Sequence, residues 1–215
     1  MLRSQIRAWL KAGIMDNLED QSSEVSELGT PQGGIISPLL MNIALHGLEN
    51  VVLKEFGRHK VKVIRYADDF IITAKRYGEV IKAKALVEEF LKPVGLRLSD
   101  KKTSIRHSRQ RFQSNSPGVE FLGFYFRNIK CSPHRGVKNT RGKNMPFKLI
   151  TRPSKKSVAN HKGKLKALLI KYKNAPLDKV IERLSSTIRG WTDYHSITQC
   201  TKTFSAIDGW WWKTL

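Results

Sequence analysis

The sequence of 215 residues predicts an α+β domain followed by a part made of helices. Two observations carry this prediction. Apolar residues alternate on both sides of a pair of aspartates near position 68, as they do in β-strands, and they recur at helical spacing before and after that stretch. Beyond Arg152 the character of the sequence changes, and its apolar residues recur at the spacing of helices. The expected architecture is therefore an α+β layer with a helical part after it.

The first predicted elements are helices on either side of a polar stretch. Residues 1–11 have the apolar spacing of an amphipathic helix, and Gly13 is placed to end it. Residues 16–28 are polar and acidic, so we expect an irregular ribbon there. Ser37 offers an N-cap and Pro38 a first helical position, so a helix is predicted from this point. Its apolar stripe consists of Leu40, Ile43, Ala44, Leu48, Val51 and Val52.

A tight β-hairpin follows, with two aspartates at its turn. Apolar residues at 61–66 and 70–74 flank Asp68 and Asp69 in the way that strands do. Two neighbouring carboxylates repel each other unless a cation compensates, and oxygen ligands of this kind suit Mg²⁺. Asp is also a common turn residue, so the pair taken alone predicts either a metal site or a solvated turn.

A second amphipathic helix and further strands complete the α+β layer. Residues 80–91 have helical spacing, and Gly95 is placed to end that helix. Residues 103–107 and 119–127 are predicted as strands. Residues 128–152 are rich in Gly, Pro, Asn, Lys and Arg and poor in apolar side chains, so we predict a basic linker. The predicted domains are residues 1–127 and 153–215, with the linker at 128–152 between them.

The C-terminal part is predicted to consist of helices. Apolar stripes extend over residues 165–172 and 177–191, with Asn174-Ala175-Pro176 as the turn between them. Residues 204–211 indicate a third helix. We interpret Trp210, Trp211 and Trp212 as core packing with one exposed ring, in preference to a surface on which bases stack.

The charge distribution predicts a polyanionic partner. The formal net charge is +21. Residues 1–125 hold 19 Lys and Arg against 14 Asp and Glu, a net of +5, whereas residues 126–215 hold 20 against 4, a net of +16. A nucleic acid held through its phosphates is the expected partner, and such binding weakens steeply with salt.

Signals of compartment are few. Cys131 and Cys200 lie far apart and outside any metal-ligand spacing, so we interpret them as ordinary thiols of a reducing interior. No apolar run is long enough to span a bilayer, and residues 1–11 lack the pattern of a secretion signal. We expect a cytoplasmic protein without a membrane partner.

Several short motifs, in order along nearly the whole chain, resemble those of one family. The chain resembles the reverse transcriptase/maturase proteins that group II introns encode. The motifs are Pro31-Gln32-Gly33-Gly34, Ser37-Pro38-Leu39, Arg65-Tyr66-Ala67-Asp68-Asp69-Phe70, Gly95-Leu96-Arg97-Leu98-Ser99, Lys102-Thr103, Phe121-Leu122-Gly123-Phe124, Pro153-Ser154-Lys155-Lys156, and Ile188-Arg189-Gly190-Trp191 with Tyr194.

The resemblance implies a polymerase palm followed by a helical thumb, or maturase, domain. It implies RNA-directed DNA synthesis with Mg²⁺, in which two metal ions serve an in-line displacement. Asp68 is then the principal metal ligand and Asp69 its neighbour. Lys102, in preference to the alternative Lys101 beside it, approaches the triphosphate as a third catalytic residue. The residues expected to line the incoming nucleotide and the template are Pro31, Gln32, Gly33, Gly34 and Tyr66.

The resemblance also implies partners for the basic part of the chain. These are the group II intron RNA, an RNA template with a DNA primer, and the deoxynucleoside triphosphates. The residues predicted to bind RNA are Lys143, Lys148, Arg152, Lys155, Lys156, Lys162 and Arg189.

The chain departs from the family at its N-terminal side. A complete reverse transcriptase carries fingers and an early palm strand with another essential aspartate, both upstream of the helix that opens this sequence. The early acids, Asp16, Glu19 and Asp20, lie in a polar ribbon and do not match that strand. We therefore expect a C-terminal piece with a truncated maturase domain, active with a partner chain that supplies the fingers and the aspartate. The alternatives are an RNA-binding maturase fragment that does not polymerise and a remnant of a degraded mobile element.

Overall fold

A computed structural model gives the fold of most of the chain. It describes residues 37–57, 59–132 and 137–213, together with Ser4, Gln5, Ala8 and the backbone of four residues near the N-terminus, Ile14, Met15, Ser23 and Glu24. The chain divides into two compact units, residues 1–103 and residues 104–215.

The described part of the first unit combines helices with a β-hairpin. Strand β1 (Ile14–Met15) pairs antiparallel with β2 (Ser23–Glu24). Ser23 and Glu24 are therefore paired in a strand, where an irregular ribbon was expected. Helices α1 (Ser37–Ala44) and α2 (Leu48–Phe56) precede the strands β3 (Val61–Tyr66) and β4 (Asp69–Ala74). Helix α3 (Tyr77–Leu91) continues into a 3₁₀ turn (Lys92–Val94), and Gly95 ends it in the left-handed conformation.

The prediction of one continuous helix from Ser37 is wrong. The chain leaves the helix at residues 45–47, where Gly47 has a φ of 90°, and α2 begins at Leu48. The apolar stripe therefore does not continue across the break, and Ile43 and Val51 are 62% and 38% exposed. The core of this unit instead combines α2, β3 and α3 with the turn before α2, through Leu45, Leu48, Val52, Val61, Ala83, Val87 and Leu91.

The predicted hairpin is confirmed. Strands β3 and β4 pair in antiparallel register from Val61 opposite Ala74 to Tyr66 opposite Asp69. Ala67 and Asp68 are thus the two residues of the turn. One face of the hairpin packs on the core, because Val61 is buried and Val63 and Ile72 lie against the same cluster.

The second unit contains a sheet in the strand order β5-β6-β9 among its described residues. These strands are β5 (Val119–Phe121), β6 (Phe124–Lys130) and β9 (Phe147–Pro153), and a small ribbon of β7 (Val137–Lys138) and β8 (Asn144–Met145) lies between the last two along the chain. The single strand predicted over 119–127 is wrong, because Leu122 and Gly123, with φ values of 50° and 77°, turn the chain back as a hairpin.

The strand predicted over residues 103–107 does not form. The backbone N–H of Thr103 bonds to the carbonyl of Ser99 at 2.8 Å, which closes a turn, and the backbone carbonyl of His107 accepts a bond from the N–H of Gly118 at 3.0 Å. Ile105 is the only apolar residue of this stretch, so little side-chain packing favours a strand there.

Much of the predicted linker takes part in this sheet. Strand β9 pairs with β6 over seven residues, from Phe124 opposite Pro153 to Lys130 opposite Phe147. The glycine- and asparagine-rich part forms the turn between β7 and β8, where Asn139 accepts bonds from the N–H groups of Arg141 and Lys143. The division into domains at 127 and 153 stays a prediction, since compact units of the backbone do not define family domains.

The helices predicted for the C-terminal part are present. They are α4 (Lys155–Lys171), α5 (Leu177–Ser196) and α6 (Thr201–Trp212), and Ser154 caps α4 by accepting a bond from Ser157 N–H at 3.1 Å. Trp210 and Trp211 are half-buried while Trp212 is 81% exposed, as predicted.

Both cysteines are free thiols. No helix in the described ranges combines the length and the apolar character that a membrane crossing requires. The buried residues among those described in this unit are Gly118, Phe124, Ile150, Pro153, Ser154, His161, Leu165, Leu184, His195, Cys200 and Ile207.

Candidate functional site

The two aspartates occupy the end of the β3–β4 hairpin. Asp68 is the second residue of the turn, and Asp69 is the first residue of β4, opposite Tyr66. All three side chains are exposed. The turn places both carboxylates in solvent at the tip of a strand pair whose other end is anchored in the core by Val61.

The turn itself adopts an unfavourable backbone conformation. Ala67 has a φ of 53°, in the left-handed region. Glycine is the usual residue at the first position of a two-residue turn with positive φ there, and a side chain costs about 1 to 2 kcal/mol in that region. Something outside the turn must therefore offset this cost.

Arg65 supplies contacts that hold the turn. Its Nη1 donates to the carbonyl oxygen of Ala67 and to Oδ1 of Asn42 on α1, each at 3.0 Å. Its Nε lies 3.8 Å from Oε1 of Glu49 on α2, an ion pair without a hydrogen bond. The guanidinium group thus connects the turn to two helices.

The aspartates fit part of a magnesium site. Mg²⁺ usually takes one or two protein carboxylates and completes its octahedron with water and phosphate oxygens, which matches the donors of Asp68 and Asp69. Over the ranges that the structure describes, no group of three or more His, Cys, Asp or Glu side chains could hold a metal ion. The hairpin therefore offers two ligands and leaves the remaining positions to other oxygen donors.

Of the other predicted catalytic and nucleotide-binding residues, the structure describes Lys102 and Tyr66. Lys102 is exposed in a turn after the 3₁₀ segment, where its N–H bonds to the carbonyl of Ser99 at 3.1 Å. The loop Pro31, Gln32, Gly33 and Gly34 and the early acids Asp16, Glu19 and Asp20 lie outside the described residues.

The predicted RNA-binding residues lie on several elements of the second unit. Lys148 and Arg152 are four residues apart on β9 and so lie on one face of the sheet. Lys155 and Lys156 follow at once in the first turn of α4, which contains no acidic residue. Lys143 and Arg189 are exposed, on the turn before β8 and on α5. The Nζ atom of Lys162 lies 4.8 Å from the centre of the Trp210 ring.

The two lysines at the start of α4 are placed against the helix dipole. Cations are unfavourable at a helix N-terminus, by about 0.3 to 1 kcal/mol each. A phosphate group at the same place gains both from the dipole and from the lysines. Lys155 and Lys156, directly after Arg152, therefore form a stretch suited to a polyanion.

A buried polar cluster joins α4 to α5. His161 on α4 stacks on the Trp191 ring of α5, with ring centres 4.5 Å apart. His161 and His195, the two histidines of the cluster, are almost fully buried. Ser157 contacts His195 Nε2 at 3.0 Å and accepts a hydrogen bond from Trp191 Nε1 at 3.1 Å. Burial lowers the pKa of His195, and burial, then the charge of His195 and that of Lys164, lower the pKa of His161.

Comparison with known families decides the assignment. The model described as reverse transcriptase (RNA-dependent DNA polymerase) matches residues 2–126, more than half of the chain. The model described as group II intron, maturase-specific domain matches residues 158–215. The chain belongs to the group II intron reverse transcriptase/maturase family. This membership confirms the resemblance drawn from the motifs, and it agrees with an α+β palm part followed by maturase helices.

Individual relatives of this reverse transcriptase/maturase chain are distant and longer. It is 26% identical over 258 aligned residues to "Uncharacterized 91 kDa protein in cob intron" of Schizosaccharomyces pombe, which covers 89% of this chain and 30% of the relative. It is 29% identical to "Group II intron-encoded protein LtrA" of Lactococcus lactis subsp. cremoris, over 57% of this chain and 29% of the relative. The chain therefore spans about a third or less of the length of these relatives.

A mobile-element protein also matches this family member. The chain is 30% identical over 152 aligned residues to "Retrovirus-related Pol polyprotein from type-1 retrotransposable element R1 2" of Nasonia vitripennis. That alignment covers 66% of this chain and 36% of the relative.

Contacts between residues far apart in the sequence were not predicted. Arg65 stood in the aspartate motif, but its acceptor Asn42 is 23 positions away and no local pattern links them. Ser157 and His195 are 38 positions apart on different helices. The spacing within each helix was one usable signal. His161 lies four residues after Ser157, and His195 lies four residues after Trp191, so the members of each pair share one helical face.

Proposed function

We propose that this chain carries part of the active site of a group II intron RNA-directed DNA polymerase and also binds the intron RNA to assist splicing. The observation that carries the proposal is the hairpin of a reverse transcriptase domain with Asp68 and Asp69 at its exposed, braced tip. Family membership supports the chemistry, and the hairpin supports the assignment of residues.

The chain's own residues have distinct tasks in this proposal. Asp68 and Asp69 hold Mg²⁺, which when bound activates the primer 3′-oxygen and neutralises the pyrophosphate charge. Lys102 contacts the triphosphate of the incoming nucleotide as a charged donor. Gln32 and Gly33 line the nucleotide and the template, since a glycine allows close backbone approach and the amide both donates and accepts. Tyr66 is exposed beside Asp69 and belongs to the same surface.

RNA binding is assigned to the second unit. Its basic residues run from β9 into the first turn of α4, through Lys148, Arg152, Lys155 and Lys156. The net charge of +16 in residues 126–215 supports a long polyanion rather than a small acidic ligand. Lys143, Lys162 and Arg189 extend this surface in the proposal.

Primer extension tests the polymerase assignment. The chain, alone and mixed with a polypeptide that supplies the fingers of the family, is incubated with an RNA template, a DNA primer, deoxynucleoside triphosphates and Mg²⁺. We expect cDNA, and we expect Asp68→Asn to abolish it. Glu89→Gln, which removes one negative charge from an exposed site on α3, is the matched control and should retain activity. Absence of product in every mixture, or full activity of Asp68→Asn, contradicts the assignment.

The charge distribution favours a second candidate function, RNA binding without polymerisation. Under it the chain binds the intron RNA tightly and Asp68→Asn leaves that binding unchanged, while no primer is extended.

A binding titration at several salt concentrations examines the RNA surface in either case. The double variant Lys155→Gln/Lys156→Gln should bind more weakly and lower the slope of log K against log salt by about one per lost phosphate contact. Lys54→Gln/Lys60→Gln, with the same loss of charge in the first unit, should retain the slope.

A further inference from the structure

Arg65 has contacts that a solvated strand residue does not need. Its side chain is 19% exposed, whereas its neighbour Ile64 on the same strand is 54% exposed, so the charged group is the more buried of the two. Both hydrogens of Nη1 have an acceptor, one in the turn and one on α1. A guanidinium group is suited to this task because its donors are fixed in one plane.

The acceptor in the turn is the residue with the unfavourable backbone. Ala67 has positive φ, and its carbonyl oxygen receives the Arg65 bond. Asp68 follows directly, so the direction of its side chain depends on how Ala67 is held. A strained residue that is held by a specific contact next to a functional carboxylate indicates that the conformation matters for function.

The second acceptor connects the turn to the helices before it. Asn42 lies on α1, which begins at Ser37, shortly after the Gln32-Gly33-Gly34 stretch in the sequence. Glu49 on α2 lies near the opposite edge of the same guanidinium group. The position of the turn is therefore defined relative to α1 and α2 and not by β3 and β4 alone.

We infer that Arg65 is a positioning residue, which together with Asn42 fixes the turn so that the Asp68 carboxylate is held in one orientation for the metal ion. The inference rests on the proposed function, because that function makes Asp68 a metal ligand. Arg65 itself touches neither the metal nor the substrate in this account. Its effect is transmitted through the carbonyl of Ala67.

Charge and geometry predict opposite effects, which makes the inference testable. If Arg65 acted only through its positive charge, removing that charge would strengthen the binding of a cation at the neighbouring aspartates. If Arg65 positions Asp68, its loss weakens cation binding in spite of that gain. Arg65→Lys keeps the charge and loses the planar fork, and Asn42→Ala changes no charge at all, so both isolate geometry.

The first experiment measures the order of the turn without metal. Backbone order parameters from ¹⁵N relaxation are compared for the wild-type chain, Arg65→Lys and Asn42→Ala. We expect the values at Ala67 and Asp68 to fall from about 0.85 toward 0.6 in both variants. The controls Lys62→Gln, on the same strand, and Asn50→Ala, on α2, should leave them unchanged. Unchanged order parameters in Arg65→Lys and Asn42→Ala, in chains that melt like wild type, overturn the inference.

The second experiment titrates Mn²⁺ in place of Mg²⁺ and follows the broadening of the amide signals of residues 66–70. We expect Asp68→Asn to abolish it, and Arg65→Lys and Asn42→Ala to weaken the affinity about tenfold or more, as the loss of groups that orient metal ligands does. The Mn²⁺ affinity of Lys62→Gln and Asn50→Ala should remain within about twofold of wild type, because neither substitution removes a group that orients a metal ligand.

The outcomes separate the inference from the function on which it rests. Broadening that depends on Asp68 but is equally strong in Arg65→Lys and Asn42→Ala overturns the inference and leaves the proposed function standing. If the wild-type chain shows no broadening, or only broadening that persists in Asp68→Asn, the hairpin does not bind the metal ion. That result overturns the proposed metal role and, with it, the inference. Weaker binding in both variants with unchanged melting supports both.

Discussion

The hydroxyl oxygen of Ser157 lies 3.0 Å from Nε2 of His195, and the same oxygen accepts a hydrogen bond from the indole N–H of Trp191 at 3.1 Å. Ser157 can donate its hydroxyl hydrogen to Nε2 or accept one from it, according to the tautomer of His195. Nδ1 of His195 is buried and has no hydrogen-bond partner among the described residues, so a charged imidazolium, which carries a hydrogen on both nitrogens, would leave that N–H unsatisfied. The cluster therefore favours neutral His195 and joins α4 to α5.

The pH dependence of unfolding should reveal this cluster. The pKa values of His161 and His195 are lowered in the folded chain, so above the ordinary histidine value of 6.5 both are neutral in the folded and the unfolded states and their stabilising effect is complete. As the pH falls below 6.5, the unfolded chain takes up protons first, and stability is lost progressively toward the folded-state values. Urea unfolding between pH 7.5 and about pH 5 measures this loss, through the midpoint followed by tryptophan fluorescence.

The control for the pH effect is an exposed histidine. His46 is exposed in the first unit, so His46→Gln should show the same pH dependence as wild type. The double variant His161→Gln/His195→Gln should lose most of the dependence below pH 6.5 while being less stable throughout. Equal pH dependence in the wild type and the double variant contradicts the role assigned to the two histidines.

Ser157→Ala should destabilise the second unit. The substitution leaves both Nε2 of His195 and Nε1 of Trp191 without their common partner, and unsatisfied buried polar atoms cost about 1 to 3 kcal/mol. Equilibrium unfolding in urea gives the difference. Ser185→Ala, at an exposed position on α5, is the matched control and should change stability by no more than about 0.5 kcal/mol.

Tyr194→Phe should loosen the turn between β5 and β6. The Tyr194 hydroxyl donates to the carbonyl oxygen of Leu122 at 2.9 Å, and Leu122 is held at a φ of 50°. Loss of this bond should cost roughly 0.5 to 1.5 kcal/mol, toward the lower end because Tyr194 is half exposed. The measurement is urea unfolding of the two chains, and a variant as stable as wild type would show that the ring packing on Phe124 alone is sufficient.

Gly118→Ala should be more damaging than Gly142→Ala. Both glycines have positive φ, but a Cβ on Gly118 would lie 2.6 Å from the carbonyl oxygen of Phe126, whereas nothing lies within 4 Å of a Cβ on Gly142. Backbone strain alone should cost about 1 to 2 kcal/mol at Gly142, and strain with overpacking roughly 2 to 5 kcal/mol at Gly118. Thermal unfolding of both variants tests the order, and equal losses would contradict it.

Local pattern predicted the elements that depend on neighbours in the sequence. The hairpin was predictable because apolar residues flank Asp68 and Asp69 on both sides, but the turn consists of Ala67 and Asp68 instead of the two aspartates, and Asp69 begins β4. The helices α4 and α5 were predictable for the same reason, from clean apolar stripes separated by Asn174-Ala175-Pro176. The family resemblance was predictable as well, because it depends on short motifs of neighbouring residues.

What depended on distant partners was not predictable. Residues 103–107 were predicted as a strand and form none in the structure, and the pairing of β9 with β6 requires a match between segments about twenty residues apart. The break at Gly47 turns the apolar stripe away from Ile43, which helical spacing alone could not show. Arg65 and Asn42 meet only through tertiary packing.

The most direct test of the metal role of the hairpin is cleavage of the chain by a bound metal. Fe²⁺ replaces Mg²⁺ in the presence of an RNA template, a DNA primer and a nucleotide, and ascorbate with peroxide generates radicals that cut the backbone near the ion. We expect fragments that end within residues 66–70 for the wild-type chain and for Glu89→Gln, and none for Asp68→Asn. The same cuts in Asp68→Asn, or cleavage only elsewhere in the wild-type chain, would contradict it.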